Sequence, residues 1–153
     1  MRRRSLWASG GGFLLAAAGI GAARAQPAAS HKIVFHVGSG DPALMQVALL
    51  NIAAAATEYA EMGQTVAIEL VANGPGYTMM RADTSPVKDA LAETKRKYPF
   101  VVFSACQNSR KGAAAREHKT VAEIPEVPEA TDVPAGVVRI TELQEQNYHY
   151  IRV

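Results

Sequence analysis

Three β-rich runs, at residues 32–37 (KIVFHV), 65–72 (TVAIELVA) and 100–105 (FVVFSA), restrict the folds open to this chain more than any other feature. The second and third are apolar at nearly every position rather than at every other one. A strand of that kind must be covered on both faces, which is the situation of a parallel sheet between helices. Between the runs the period changes. Met45, Leu49, Ile52, Ala56 and Tyr59 recur at i, i+4, i+7, i+11 and i+14 and form one helical stripe, with Asp41 as N-cap, Pro42 at the first helical position and Gly63 as the stop. Ser85 and Pro86 are expected to open a second helix with Val87, Ala90, Leu91, Thr94 and Tyr98 on its apolar face. Lys95, Arg96 and Lys97 complement the negative end of its dipole, and Pro99 ends it. The resulting β-α-β-α-β order calls for right-handed crossovers and an α/β fold with a mostly parallel sheet.

Beyond Cys106 the signals are shorter. A helix is expected over 110–118 and a capping box from Thr120 to Glu123, after which Pro125, Pro128 and Pro134 disfavour long regular structure, so the stretch reads as a surface loop. Glu123, Glu126, Glu129 and Asp132 recur at every third residue and read as solvated charge on one side of a polyproline-type segment. A fourth strand is expected over 136–140 and a helical turn over 141–146. A fifth strand over 148–153 suits a sheet edge, with Tyr148 and Tyr150 exposed.

The first 25 residues read as an export signal. Residues 1–4 are basic, 6–20 are apolar but diluted by glycine, and Ala23-Arg24-Ala25 supplies a small-x-small site before Gln26. Arg3-Arg4-Ser5-Leu6 fits a twin-arginine signal as well as an arginine-rich Sec signal. The leader is too short and glycine-rich for a stable span, and no later segment reads as one, so a periplasmic or otherwise exported single domain over 26–153 is expected, with no stable membrane insertion after cleavage. Charge follows from the leader. Without Arg2, Arg3, Arg4 and Arg24, 12 of the 16 Lys and Arg remain against 14 Asp and Glu, a net charge of −2. That balance leaves no basic surplus for a phosphate backbone, so nucleic acid is not an expected partner. Cys106 is the only cysteine, so no disulfide can form within the chain.

In a parallel sheet, ligands collect beyond the carboxyl ends of the strands. Three loops qualify: Gly38-Ser39-Gly40 after His36, Asn73-Gly74-Pro75-Gly76, and Cys106-Gln107-Asn108-Ser109. The first lacks the third glycine of a dinucleotide fingerprint, and neither glycine-rich loop is a Walker A motif. Cys106, with Arg110, Lys111 and Arg116 close behind it, is a candidate for a lowered thiol pKa, against the plainer reading of a buried small apolar side chain. His36 lies within an apolar strand, where a hydrogen-bonded structural role is the more common one. The four histidines show no metal-ligand spacing and one cysteine cannot build a zinc site, so neither a metal nor another cofactor is expected.

Phe35-His36-Val37 before Asp41, Asn51, Val71-Ala72-Asn73-Gly74-Pro75-Gly76, Ala105-Cys106-Gln107-Asn108-Ser109, Val133-Pro134-Ala135-Gly136-Val137-Val138 and Leu143-Gln144 through Tyr148-His149-Tyr150-Ile151 together resemble the DsrE/DsrF-like family, over residues 32–153. The resemblance implies a three-layer α/β/α sandwich with a five-stranded, mainly parallel sheet, and a homo-oligomer, trimer or hexamer. It also implies sulfur relay, with Cys106 accepting sulfur as a persulfide from a donor and passing it to an acceptor protein. His36, Gly38, Ser39, Asn73, Gly74 and Asn108 are the expected ligand-binding residues around it. Asn73 stands where the family pattern has His before Gly-Pro-Gly. The alternative expectation is a non-catalytic oligomeric module that binds a small anion or a redox partner.

Overall fold

The computed structural model describes residues 29–153; the expected leader over 1–25 lies outside the described residues. In chain order the elements are β1 (His31–Val37), α1 (Pro42–Glu61), β2 (Val66–Ala72), a 3-10 turn (Gly74–Met80), α2 (Lys88–Lys97), β3 (Val102–Cys106), α3 (Gln107–Arg116), a second 3-10 turn (Val121–Glu123), β4 (Ala130–Val133), α4 (Gly136–Glu145) and β5 (His149–Arg152). The strands form one sheet in the order β4-β3-β2-β1-β5, and every neighbouring pair is parallel. Alternation along the strands divides the core. Phe35, Leu70 and Phe103 point to the face covered by α1, α2, α3 and the first 3-10 turn, whereas Val34 and Val71 meet Ile140 and Leu143 of α4 on the other face. This is a three-layer α/β/α sandwich.

Local chemistry explains the ends of the elements. Asp41 Oδ1 accepts the Ala43 N–H at 2.9 Å with Pro42 in the first turn, and Gly63 takes a left-handed φ of 68° just past the end of α1. By length and composition α1 could cross a membrane, contrary to the expectation that no segment after the leader reads as a span. In this fold its Met45, Ala48, Leu49, Ile52 and Ala56 are buried against the sheet. Lys95 closes α2 by donating to the carbonyls of Pro99 and Val101, as the basic last turn predicts. The Thr120 N–H donates to the Glu123 carboxylate at 2.8 Å, forming the expected capping box around a short 3-10 turn.

Five expectations change. Residues 136–140 are the start of helix α4, not a strand: Gly136, Ile140 and Leu143 are buried at i, i+4 and i+7, a helical period that the short apolar run Val137-Val138-Arg139-Ile140 concealed. The fourth strand is Ala130–Val133, inside the stretch read as a loop, where pairing with Phe103 to Cys106 overrides the flanking prolines. Helix α3 starts at Gln107, directly after Cys106, and α2 at Lys88, because the Ser85 hydroxyl accepts from Val87 N–H in a preceding turn. Tyr148 is half-buried against the α4 core, while Tyr150 on the edge strand stays exposed.

One polar tie and one close backbone approach hold the layers together. On the α4 face the buried Glu69 receives two hydrogen bonds from Arg139, Nε at 2.8 Å and Nη2 at 2.7 Å, and another from Ser104. On the opposite face Gly76 packs against the end of β1 so closely that a Cβ there would lie 2.2 Å from the Val37 carbonyl oxygen. Gly76→Ala is therefore expected to destabilise the protein by at least about 1–3 kcal/mol, the usual cost of overpacking, read as a lowered urea midpoint with an unchanged m-value.

Candidate functional site

Because the strands are parallel, the chain leaves β1, β2, β3 and β4 at one rim, and the rim is assembled from those exits. Cys106 is the last residue of β3 and the N-cap of α3. Its Sγ accepts the Gly136 N–H, from the first residue of α4, at 3.2 Å. Gly136 in turn presses on the residue after β2, since a Cβ on it would lie 2.8 Å from Asn73 Cβ. Asn73 Oδ1 is 2.9 Å from His36 Nε2, and Gly38 lies over that contact. Next to Asn73, Gly74 adopts φ 52° and donates its N–H to Ser109 Oγ at 2.8 Å. Of the residues singled out from sequence, Cys106, His36, Gly38, Asn73 and Gly74 thus meet in one continuous set of contacts.

The other two are used differently. Ser39 Oγ accepts the Asp41 N–H at 3.2 Å and shapes the turn into α1. Asn108 is exposed, and its N–H goes to the Pro134 carbonyl at 3.3 Å, which ties α3 to the segment before α4. Two residues of the site, Ser109 and Gly136, were not among those expected to bind a ligand. Ser109 becomes visible only once α3 is known to start at Gln107, which makes it the third helical residue facing the cap; Gly136 was concealed by its assignment to a strand.

Burial, the largest influence, pushes the Cys106 thiol up. The Ser109 hydroxyl and the N–H groups of Gly136, Ser109 and Asn108 pull it down, and the balance leaves it below the usual cysteine value. The Gly136 N–H makes the well-formed hydrogen bond, and the side chain makes no cap bond to α3, so the α3 groups act as oriented dipoles. Of the three cations close behind it in sequence, Arg110 is committed elsewhere. Arg110 donates to the Ile124 carbonyl at 3.0 and 2.7 Å and to Glu126 Oε2 at 2.9 Å. Glu126, read from sequence as solvated, also accepts from Tyr77 at 2.7 Å and from Gln107 at 3.0 Å, and so anchors the first turn of α3.

No Cys–His couple forms among the described residues. His36 is occupied on both nitrogens, by Asn73 and by the Tyr150 hydroxyl at 2.7 Å. Nor could any group of three His, Cys, Asp or Glu among the described residues hold a metal ion. What the site offers is a single cysteine, 4% exposed, whose Sγ accepts the Gly136 N–H and whose pKa is also lowered by the first turn of α3. Its low exposure departs from the open rim position that sulfur chemistry would favour.

No family model matches the chain, and no curated protein matches it. Among solved structures it is similar to the protein of unknown function MTH1491 from Methanobacterium thermoautotrophicum, with a TM-score of 0.67 and 23% identity, over 80% of this chain and 99% of that one. At that identity the likeness shows the shared fold.

The electrostatics make a pH prediction. Alkylation of Cys106 should follow a titration centred below that of an ordinary thiol, and Ser109→Ala should move the midpoint upward. Stability relative to Cys106→Ser should rise with pH across the interval from the folded to the unfolded thiol pKa, because the unfolded chain keeps its proton to higher pH, and should fall away as pH drops through the folded value.

Proposed function

We propose that this chain is an exported DsrE/DsrF-like sulfur carrier that holds sulfane sulfur as a persulfide on Cys106. The observation that supports the reading is the environment of Sγ: a sulfur at the carboxyl end of an interior parallel strand, held below its usual pKa by the Gly136 N–H and the Ser109 side chain. A thiolate is the nucleophile in sulfur exchange. It attacks the terminal sulfur of a polysulfide, the adjacent S–S bond breaks, and its electron pair leaves on the shortened polysulfide, so that Cys106 carries one added sulfur and one negative charge. The same donors that favour the thiolate favour the persulfide anion. An acceptor thiolate then removes the outer sulfur and returns Cys106 to its starting state. The step needs no metal or organic cofactor. The expected leader would place the carrier outside the cytoplasm, and its donor and acceptor with it.

The 4% exposure of Cys106 favours a second reading, a homo-oligomeric module that binds a small anion or redox partner without turnover. Intact-mass spectrometry after incubation with polysulfide separates the two. The carrier predicts added mass of whole sulfur atoms that a thiol reductant removes and that is absent in Cys106→Ser. A wild-type protein that stays unmodified while its thiol remains reduced would leave only the module.

A further inference from the structure

We infer that the cleft between the first 3-10 turn and α3 binds a small sulfur oxyanion of the thiosulfate type through Arg116, and so selects the donor that reaches Cys106; the inference rests on the carrier reading. The cleft, about 390 Å³, is lined by Gly74 and Thr78 of the turn and by Asn108, Ser109, Gly112 and Arg116 of α3, and its lining contains no carboxylate. Arg116 differs from Arg81, Arg110 and Arg139, each of which is held by carboxylates. Among the described residues it forms no ion pair. Its guanidinium lies back along α3: a Cβ on Gly112 would be 3.3 Å from Arg116 Nη1, so the glycine leaves room for the cation over the helix. The side chains of Thr78 and Asn108 donate no hydrogen bond among the described residues and are available to an oxyanion.

Ser109 joins the cleft to the sulfur, because it lines the cleft and stands in the first turn of α3, the helix that Cys106 caps. A thiolate attacking a dianion is opposed by charge repulsion, which a cation on the donor's sulfonate end offsets. The step balances: Cys106 thiolate attacks the sulfane sulfur of thiosulfate, the S–S bond breaks, its electron pair departs on sulfite, and the persulfide anion remains.

The Cys106→Ser protein, which cannot take up sulfur, is titrated with thiosulfate and followed by backbone amide NMR. Saturable shifts are expected at Asn108, Ser109 and Gly112, weakened about tenfold or more by Arg116→Gln, as for loss of a charge-assisted contact, and largely kept by Arg116→Lys. Sulfate should compete. Absence of saturable shifts, or shifts indifferent to Arg116→Gln, overturns the inference. In the protein with Cys106 intact, Arg116→Gln should slow loss of the free thiol to thiosulfate and leave its loss to a neutral dialkyl trisulfide unchanged; equal slowing with both donors also overturns it. If the thiol resists both donors while the Arg116-dependent titration stands, the anion site survives and the carrier reading falls.

Discussion

All neighbouring strands run in the same direction, and the rest of the site depends on that constraint. A parallel pair has to be joined by a crossover, so each strand begins at one rim and is left at the other. The exits from β1, β2, β3 and β4 therefore bring together Gly38, Asn73, Cys106 and Gly136, which are far apart in sequence. An antiparallel sheet of the same strands would divide these residues between two rims.

Holding the exits in register falls to a few polar groups that hydrophobic packing alone could not replace. The α4 face has a small apolar core, with Val34 and Val71 against Ile140 and Leu143, and the Glu69–Arg139 pair adds direction to it. Glu69 is buried, so removing Arg139 would leave its charge without a counterion, a loss of about 3–5 kcal/mol in typical buried pairs. The pair sets the rotation of α4, and with it the aim of the Gly136 N–H at Sγ. On the opposite face Glu126 does the equivalent for α3 by gathering Tyr77, Gln107 and Arg110. Both helices that begin beside the sulfur are thus oriented by a carboxylate, buried at Glu69 and half-buried at Glu126.

The balance at Cys106 follows from those orientations. Burial opposes ionisation and local donors support it, and the donors prevail. A sulfur in that balance is favoured toward the thiolate yet sterically screened. The Ser109 hydroxyl, shared between the Gly74 N–H and the sulfur's surroundings, sits at that boundary.

Much of the fold was legible in the sequence: the helical stripe of α1, the Asp41-Pro42 cap, the apolar runs of β1, β2 and β3, and the edge character of β5 all rest on local periodicity and on residue chemistry acting within a few positions. The rim location of Cys106, His36, Asn73 and Gly74 followed from the parallel topology those runs imply. The strand at 130–133 and the helix at 136–145 were not legible, because a four-residue strand owes its existence to pairing with β3 and because a run such as Val137-Val138-Arg139-Ile140 satisfies either period until a partner selects one. The roles of Arg110, Glu126 and Ser109 lay equally beyond reach, since which cation meets which carboxylate is a distance in space. Local sequence thus determined the elements and the rim they share. Only the packed tertiary structure decided which donors face the sulfur, because hydrogen bonds between residues 30 or more positions apart exist only after the layers have closed.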